Sequence, residues 1–299
     1  MINRSTAKYA IKKIVPSFVF STILFLWQTL FLRIVEYVDT LRLKKFTNIT
    51  CKTLTHGTRK FSLFISPENG FIDNYIFLYG VYESFILDII NTHLHKGMTF
   101  VDIGANIGQH SMYAASIVGN KGSVYAFEPI PRIYKQLLSS SKENNFQHIL
   151  HAKNIALGEK ESKETLYISQ KNIGGSSLVN QEETNENITV IIKNGDTELK
   201  QLAHIDMIKI DVEGYEYEVL TGIEQTLQKH HPKILIEFSG YFYDTHTKDH
   251  GAKIISLLKQ IGYSLYDIED SMKEVSNIST FLNRFTQKNK QTNLLCVVV

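Results

Sequence analysis

The chain has 299 residues, of which 43% are hydrophobic and 21% are charged, a composition that excludes a disordered chain and suits one large α/β domain with an appended segment. Residues 1–60 hold 11 Lys and Arg against two acidic residues, whereas the remainder holds 21 basic and 28 acidic residues, so the net charge of +2 conceals a basic head on an acidic body. This asymmetry favours an anionic membrane surface as a partner and argues against nucleic acid, whose phosphates the body would repel.

An apolar segment occupies much of the basic head. The 19 uncharged residues between Lys13 and Arg33 just reach the length of a membrane span. On a helical wheel, however, the polar residues fall in one sector, and the rest carries large apolar side chains: Phe18, Phe20, Leu24, Trp27, Phe31 and Val35. The pattern favours a helix lying in the membrane interface, with a true span or a helix packed on the main domain as alternatives. We expect residues 1–60 to form this membrane-associated segment and residues 61–299 the main domain.

The body of the chain alternates strand and helix patterns. After a β-like stretch at residues 61–65, the predicted strands cover residues 99–103, 123–127, 149–154, 207–211, 233–238 and 263–268, and the run LLCVVV forms the last one. The predicted helices cover residues 109–117, 131–143 and 215–228. Short apolar strands separated by helices imply an α/β fold with a mostly parallel sheet covered on both faces. Two further β-like runs, at residues 165–169 and 188–193, predict a hairpin inserted after the third strand.

The stretch VDIGANIGQ at residues 101–109 forms the turn after the first strand, where ligands of open α/β sheets bind. Gly104 permits a positive φ and a close approach of the backbone to a ligand, and Gly108 permits tight entry into the helix. The turn lacks the Gly-x-Gly-x-x-Gly spacing, and no Gly-Lys-Ser/Thr follows it. A cradle for phosphate groups is therefore disfavoured.

An acid after the second strand suggests an adenosine ligand. Glu128 lies 20 residues beyond Gly108, where a carboxylate accepts hydrogen bonds from two ribose hydroxyls. Asp102 suits an ammonium group, and exposed turn amides suit a carboxylate. Ribose, amino group and carboxylate without phosphate are the parts of S-adenosylmethionine. The alternative is a structural Asp and Gly in an ordinary Rossmann-like turn.

Five segments together carry a family resemblance. In chain order, they are VDIGANIGQHS, AFEP, KNIALG, DMIKIDVEGYE and PKILIEF. With these segments the chain resembles the FkbM family of S-adenosylmethionine-dependent O-methyltransferases over roughly residues 80–240. The resemblance implies a Rossmann-like class I methyltransferase fold with a seven-stranded sheet.

The resemblance also implies the positions that bind S-adenosylmethionine. The methionine part is expected around Asp102, Gly104, Ala105, Asn106 and Gly108, and the ribose at Glu128. Asn154, Ile155 and Ala156 are expected to line the adenine. Glu83, in YGVYESF, also matches a family position, although a salt bridge on a helix surface is an equal alternative.

Two carboxylates after the fourth strand are the candidate catalytic residues. Asp211 and Glu213 in KIDVEGYE are spaced i and i+2, so their side chains emerge on the same side of an extended chain. One would face the cofactor, and the other would orient or deprotonate an acceptor hydroxyl. Alternatively, Glu213 caps the following helix. Glu237, at the end of the fifth strand, would complete an oxygen set suited to magnesium or calcium, but the spacing requires no metal and we predict none.

The function predicted from these residues is O-methylation of a saccharide, glycolipid or secondary metabolite. The Asn/Asp-Pro-Pro-Tyr/Phe motif of enzymes that methylate nucleobase nitrogen is absent. Because S-adenosylmethionine is cytosolic, and Cys51 and Cys296 favour reduced thiols, we expect a cytoplasmic protein attached to the inner face of a membrane. The alternatives are a nicotinamide-dependent oxidoreductase and a non-catalytic, membrane-tethered module that binds S-adenosylmethionine.

Overall fold

The computed structural model describes residues 33–169, 171–179, 186–240, 243, 249–285 and 290–298. The strands are β1 (Thr50–His56), β2 (Arg59–Ile65), β3 (Thr99–Ile103), β4 (Ser123–Phe127), β5 (Leu150–Lys153), β6 (Ala156–Gly158), β7 (Ser162–Ile168), β8 (Glu186–Asn194), β9 (Met207–Ile210), β10 (Lys233–Ser239), β11 (Tyr263–Asp267), β12 (Lys273–Glu274) and β13 (Gln291–Val298). The helices are α1 (33–43), α2 (Phe71–Tyr79), α3 (Ser84–His93), α4 (Gln109–Val118), α5 (Pro131–Glu143), α6 (Gly195–Leu199), α7 (Glu216–Gly222), α8 (Glu224–His230), α9 (His250–Ile261) and α10 (Ile278–Leu282).

The chain divides into two compact units, residues 1–47 and 48–299. The first unit contains α1, and the greater part of the predicted N-terminal helix lies outside the described residues. Within the part of the chain that the structure describes, no helix combines the length and apolar character needed to cross a bilayer. The boundary expected between residues 60 and 61 falls inside β2, which pairs antiparallel with β1 across the turn at Gly57. The strand β1 was not predicted.

The large sheet of the second unit has the strand order β12-β11-β13-β10-β9-β3-β4-β5. All neighbours from β10 to β5 are parallel, and β13 runs antiparallel to both β10 and β11. Seven strands of four to eight residues form this sheet, and the two-residue β12 adds an edge. The predicted mostly parallel seven-stranded sheet is confirmed, with the extra edge strand as an addition.

The inserted hairpin is also present. The strands β7 and β8 pair antiparallel from Ser162↔Ile192 to Ile168↔Glu186, and the short β6 joins β8 to complete a three-stranded sheet. After β7 the chain returns towards the main domain, where Phe71 N donates to Lys171 O at 3.1 Å and Gly70 bridges to Asn172. The inserted segment is therefore anchored next to the start of α2.

The single helix predicted over residues 215–228 is wrong, because the structure has two helices separated at Ile223. Gly222 ends the first of them, and a Cβ there would lie 2.1 Å from the carbonyl oxygen of Gly158 in β6. The helix thus packs directly on the backbone of the inserted sheet. Ile223, with φ −119 and ψ 17, leaves the helical conformation at this contact, and the chain restarts as α8.

A buried polar network fixes α2 and α5 relative to β2. Asp73 Oδ1 accepts from Ser66 N at 2.6 Å, Asn69 Nδ2 at 2.9 Å and Gln136 Nε2 at 3.2 Å. Gln136 Nε2 also donates to the carbonyl oxygen of Phe64. Asp73 Oδ2 is buried without a hydrogen-bond partner. Burial raises the pKa of Asp73 to about 6, against the opposing effects of these hydrogen bonds and of the Arg132 charge.

The pKa of Asp73 predicts how stability depends on pH. Because the folded pKa of about 6 exceeds the ordinary value of 3.8, its contribution to stability is full below pH 3.8 and is lost as the pH rises to about 6. Asp73→Asn removes this titration. The unfolding free energy of the wild type relative to that of Asp73→Asn should therefore fall by about 2–3 kcal/mol between pH 4 and pH 7, since one pKa unit corresponds to about 1.4 kcal/mol. Urea denaturation of both proteins at pH 4, 5.5 and 7 measures this; a difference that stays constant with pH would contradict it.

Candidate functional site

A cleft opens beyond the carboxyl ends of β3, β4, β9 and β10, as the topology of an open parallel sheet predicts. It encloses about 1160 Å³, counting its open mouth. The sheet side of the cleft is lined by Ile103, Gly104, Asn106, Phe127, Glu128, Asp211, Val212, Glu213 and Glu237. The opposite side comes from residues before α3 and from the inserted segment, including Phe71, Tyr82, Glu83, Asn172, Gly174 and Ser176.

The glycine turn brings two strand ends into direct contact. Gly104 has a φ of +83, and a Cβ at this position would lie 1.8 Å from the carbonyl oxygen of Asp211. The amides of Gly104 and Ala105 both donate to Phe127 O at 3.0 Å. The expectation that the turn amides are open to a ligand carboxylate is therefore wrong for these two. Gly104 is required here by the approach of the backbone after β9.

Glu128 is held rigidly where β4 ends. Its Oε2 accepts from Asn106 N at 2.9 Å, its Oε1 accepts from Ile130 N at 2.8 Å, and the residue is 5% exposed. A carboxylate has about four acceptor sites, so capacity for two further donors from the cleft remains. Burial raises the pKa of Glu128 to about 7, and the two backbone hydrogen bonds oppose this rise.

The cleft is apolar around Glu128. The part of the cleft next to this carboxylate is lined by Ile130, Ile133, Ile155, Ala156 and Leu157. Asn154 lies behind this wall, where its Nδ2 donates to Glu128 O at 2.8 Å and Pro129 O at 2.9 Å. Asn154 therefore supports the loop that carries Glu128, while its neighbours Ile155 and Ala156 face the cleft.

An ammonium group is buried between two strands on the face that leads to the cleft. Lys209, in the middle of β9, pairs in register with Asp102 of β3 and is 4% exposed. Its Nζ donates to Asp211 Oδ2 at 2.7 Å. Burial alone raises the pKa of Asp211, but the Lys209 charge and hydrogen bond outweigh burial and hold this pKa below its ordinary value. Asp102 is fully buried, and its Oδ2 accepts from Ser111 Oγ at 2.6 Å.

Three more acids surround Asp211. One carboxylate oxygen from each of Asp211, Glu213 and Glu237 lies within 4.8 Å of the others, and Glu83 lines the same part of the cleft. Burial and the nearby Asp211 charge raise the pKa of Glu83 to about 7, and the same two causes raise the pKa of Glu213 and of Glu237 well above the ordinary value. The cleft is therefore acidic at the ends of β9 and β10 and apolar at the ends of β4 and β5.

Three of the eight described non-glycine residues with a positive φ line this cleft. Glu83, Asn106 and Glu213 have φ values of 45, 50 and 52, in the left-handed region that non-glycine residues seldom adopt. All three line the cleft. Such strain costs about 1–3 kcal/mol per residue and persists at functional sites where the surroundings enforce it.

The alternative that Glu213 caps α7 is wrong, because the N-cap residue is Tyr215 and no side chain makes a capping hydrogen bond. Glu216 Oε1 accepts from Gly214 N at 3.0 Å and from Val212 N at 3.4 Å. The carbonyl oxygen of Glu213 accepts from Ser177 Oγ of the inserted segment at 2.5 Å, and a Cβ at Gly175 would lie 3.8 Å from Glu213 Oε1. The Glu213 carboxylate thus faces the inserted segment across the cleft.

The structure brings most of the predicted site residues together. The members that line the cleft are Glu83, Gly104, Asn106, Glu128, Ile155, Ala156, Asp211 and Glu213. The remaining four, Asp102, Ala105, Gly108 and Asn154, lie behind its wall. Gly108 begins α4 with a φ of 90, where a Cβ would lie 3.0 Å from the Leu137 side chain.

The family model for the methyltransferase FkbM domain matches residues 102–265. The match covers more than half of the chain and includes the glycine turn, Glu128 and the carboxylates after β9 and β10. The chain belongs to the FkbM methyltransferase family.

Relatives of known name are distant. The hexuronic acid methyltransferase AglP of Haloferax volcanii is 30% identical over 129 residues, which cover 42% of this chain and 50% of AglP. The methyltransferase sdnD of Sordaria araneosa is 28% identical over 176 residues, 48% of this chain and 67% of sdnD. A crystal structure of methyltransferase FkbM from Methylobacillus flagellatus has a TM-score of 0.40 at 14% identity, covering 75% of this chain and 52% of that one. The similarity thus spans only half of the AglP sequence.

Several cleft residues were not predicted from the sequence. Phe71 and Tyr82 precede the segment that matches the FkbM family. No motif marks Phe71, and Tyr82 appeared only as the neighbour of Glu83 in YGVYESF. Gln109 holds the loop before Glu83, because its Nε2 donates to Tyr82 O at 2.7 Å and its Oε1 accepts from Tyr82 N at 2.8 Å. Gln109 is the last residue of the stretch VDIGANIGQ, but its hydrogen bonds to the backbone of Tyr82 depend on tertiary structure.

The contact at Gly104 predicts a large cost for Gly104→Ala. The methyl group would collide with the Asp211 carbonyl, and alanine is strained at φ +83, so we expect a loss of at least about 3 kcal/mol of unfolding free energy. Gly262→Ala is the matched control, because Gly262 has φ +104 with no atom within 4 Å, and it should cost about 1–2 kcal/mol from strain alone. Equal losses for the two variants in urea denaturation would show that the contact is absent.

Proposed function

We propose that this FkbM family member is an S-adenosylmethionine-dependent O-methyltransferase whose acceptor is a hydroxyl of a saccharide, glycolipid or secondary metabolite. The observation that carries the proposal is the division of one cleft into two chemically different ends. Glu128 with an apolar wall occupies one end, and Asp211, Glu213, Glu237 and Glu83 occupy the other. Their strands are separated by β3 alone, so Glu128 and Asp211 follow strands about 10 Å apart.

The residues fit S-adenosylmethionine in polarity and charge. Glu128 has free acceptor capacity for ribose hydroxyls, and Ile155 and Ala156 offer apolar contact for the adenine. The sulfonium and ammonium groups are positive, and the acidic end attracts both. Asn106 lines the cleft between these two ends. The wall of the cleft is held in place from behind by four residues: Asp102, Ala105, Gly108 and Asn154.

A nicotinamide cofactor fits less well. Its pyrophosphate needs free backbone amides at the glycine turn, but Gly104, Ala105 and Asn106 donate theirs to Phe127 O and Glu128 Oε2. The acidic residues would also repel phosphate groups. A non-catalytic module that binds S-adenosylmethionine would not need strained carboxylates aimed at the acceptor side of the cleft.

Bound S-adenosylmethionine supplies a methyl group whose carbon–sulfur bond breaks, with the electron pair kept by sulfur, as the acceptor oxygen bonds to the carbon. The protein must align the acceptor and take the hydroxyl proton. Asp211 remains ionised beside Lys209 and faces the cofactor side. Glu213 has a raised pKa, which makes its ionised form a stronger base, and it takes the proton.

Aromatic side chains at the cleft favour a saccharide among the acceptor classes. Phe71 is 54% exposed, and its ring lies 6.1 Å from that of Tyr82 in an edge-to-face pair. Both rings line the cleft and offer large, rigid contact faces to the C–H groups of a sugar ring. AglP acts by name on a hexuronic acid; the four carboxylates here favour an uncharged sugar.

We further propose that the N-terminal unit attaches the protein to an anionic membrane surface on the cytoplasmic side. The described helix α1 exposes Ile34, Tyr37, Val38 and Leu41, each between 42% and 65%. Their spacing of i, i+3, i+4 and i+7 places them on one helix face. This apolar face continues the apolar pattern of residues 14–32, and the basic residues around it favour anionic lipids.

Two variants test the enzyme proposal by separating cofactor binding from turnover. Glu128→Ala removes the ribose acceptor and should weaken S-adenosylmethionine binding about 10- to 100-fold in calorimetry, since hydrogen bonds to a charged group contribute about 1.5–3 kcal/mol. Glu213→Gln should keep that affinity and lower methyl transfer about 100-fold or more, measured from labelled S-adenosylmethionine into a cell-envelope extract.

The control for both variants is Glu143→Ala, an exposed acid at the end of α5, which should change neither quantity. Folded wild-type protein that gives no heat at millimolar S-adenosylmethionine would refute the proposed function. Unchanged turnover in Glu213→Gln would remove Glu213 from the catalytic residues.

If the N-terminal unit binds anionic membranes, the wild-type protein should sediment together with vesicles made of equal parts phosphatidylglycerol and phosphatidylcholine. The double variant Ile34→Ser, Leu41→Ser should bind these vesicles at least about tenfold more weakly, because each buried aliphatic side chain contributes about 1.5–3 kcal/mol. Leu138→Ser is the control, because Leu138 is 39% exposed on α5 of the other unit. Failure of the wild-type protein to sediment, or equal weakening by the control, would count against this attachment.

A further inference from the structure

Three carboxylates converge at the acidic end of the cleft. Asp211 and Glu213 follow β9, Glu237 lies near the end of the adjacent β10, and one oxygen of each lies within 4.8 Å of the other two. Two oxygens on opposite sides of a Ca²⁺ ion lie about 4.6–5.2 Å apart, and about 4.0–4.2 Å apart around Mg²⁺. The oxygens are thus already close enough to be ligands of Ca²⁺, and a small side-chain movement brings them within the limit for Mg²⁺.

Glu237 supplies an independent sign of a missing ligand. The residue is 8% exposed and lines the cleft, and its Oε2 is buried with no hydrogen-bond partner. A buried carboxylate oxygen without a partner loses its hydration without compensation. Glu237 shares a side-chain hydrogen bond with Asp211, but this leaves Oε2 without a partner, and Lys209 does not supply one because its Nζ donates to Asp211 Oδ2.

The charges around this oxygen leave a large deficit of positive charge. Four other carboxylates act on Glu237, those of Asp211, Glu213, Glu216 and Glu83, against the ammonium of Lys209. Like charges this close repel one another. A divalent cation among them would relieve this repulsion and provide a partner for Glu237 Oε2.

We propose that Asp211, Glu213 and Glu237 form a binding site for a divalent cation of the Mg²⁺, Mn²⁺ and Ca²⁺ class. Oxygen-only ligation selects these hard cations over zinc or copper. The catalytic part of this inference rests on the proposed methyltransferase function: the cation would bind the acceptor hydroxyl and lower its pKa, and Glu213, a ligand of the cation, would take the released proton. Binding of the cation itself does not depend on that function.

Manganese provides a direct measurement on the full-length protein. After removal of metals with EDTA and dialysis, titration with Mn²⁺ followed by electron paramagnetic resonance should show one bound ion per chain, with a dissociation constant of about 0.1–1 mM or tighter. Mg²⁺ and Ca²⁺ should displace it. Glu237→Gln keeps the side-chain shape but removes a charged ligand, so Mn²⁺ affinity should fall at least about tenfold.

The matched control is Glu269→Gln, which removes one negative charge from an exposed residue that interacts with Glu83 but contributes no oxygen to the set. This variant should bind Mn²⁺ like the wild type, which separates ligation from general charge attraction. If Glu237→Gln is unstable, the Mn²⁺-induced rise of the wild-type melting midpoint gives a second readout. Absence of that rise overturns the proposal.

Parallel calorimetry with S-adenosylmethionine distinguishes failure of the site from failure of the enzyme. Mn²⁺ binding without S-adenosylmethionine binding would keep the metal site and refute the proposed function. Full methyl transfer in the presence of EDTA would refute the catalytic role of the cation. Equal Mn²⁺ affinity in Glu237→Gln, or no Mn²⁺ binding at 10 mM, which is about tenfold above the expected range, would each refute the metal site.

Discussion

The candidate site depends on the ammonium group of Lys209, which is buried in the middle of β9. Strand alternation places Asp102, Lys209 and Asp211 on one face of the sheet, so that the charge of Lys209 lies between two carboxylates. A buried ammonium is costly unless it is paired, and here the pairing keeps Asp211 ionised at the floor of an acidic cleft. Without this charge, Asp211 would join Glu83, Glu213 and Glu237 as a fourth buried acid with a raised pKa.

Much of the fold was predictable because the relevant signals are local. The strands β3 and β4 and the helix α5 have the predicted bounds, since short β-branched and apolar runs, and a proline at the first turn of a helix, act within a few residues. The site was predictable where it follows from topology. Residues after parallel strands meet at one edge of the sheet, and this rule alone brought Glu128, Asp211 and Glu213 into one cleft.

The remainder depends on contacts between distant residues. From the sequence, Glu213 could cap α7, but its backbone is left-handed and no side chain caps this helix. Glu216 instead holds the preceding loop by accepting from Gly214 N. The break at Ile223 follows from the packing of Gly222 against Gly158, more than 60 residues earlier in the sequence. Asn154 was expected at the adenine, but its amide group satisfies the carbonyl oxygens of Glu128 and Pro129 instead.

The two walls of the cleft have different origins, which bears on how an acceptor is selected. The sheet wall belongs to the segment that matches the FkbM family, and its groups suit the cofactor and the methyl transfer. The facing wall is built by Phe71 and Tyr82, which precede that segment, and by the inserted loop, which lies within it and where a Cβ at Gly174 would lie 2.8 Å from Asn106 Nδ2. This loop contacts both the glycine turn and Glu213. Under the proposed function, the acceptor would therefore fit between the loop and the aromatic pair, and these two parts would select it, while the sheet ends supply the groups for the chemistry.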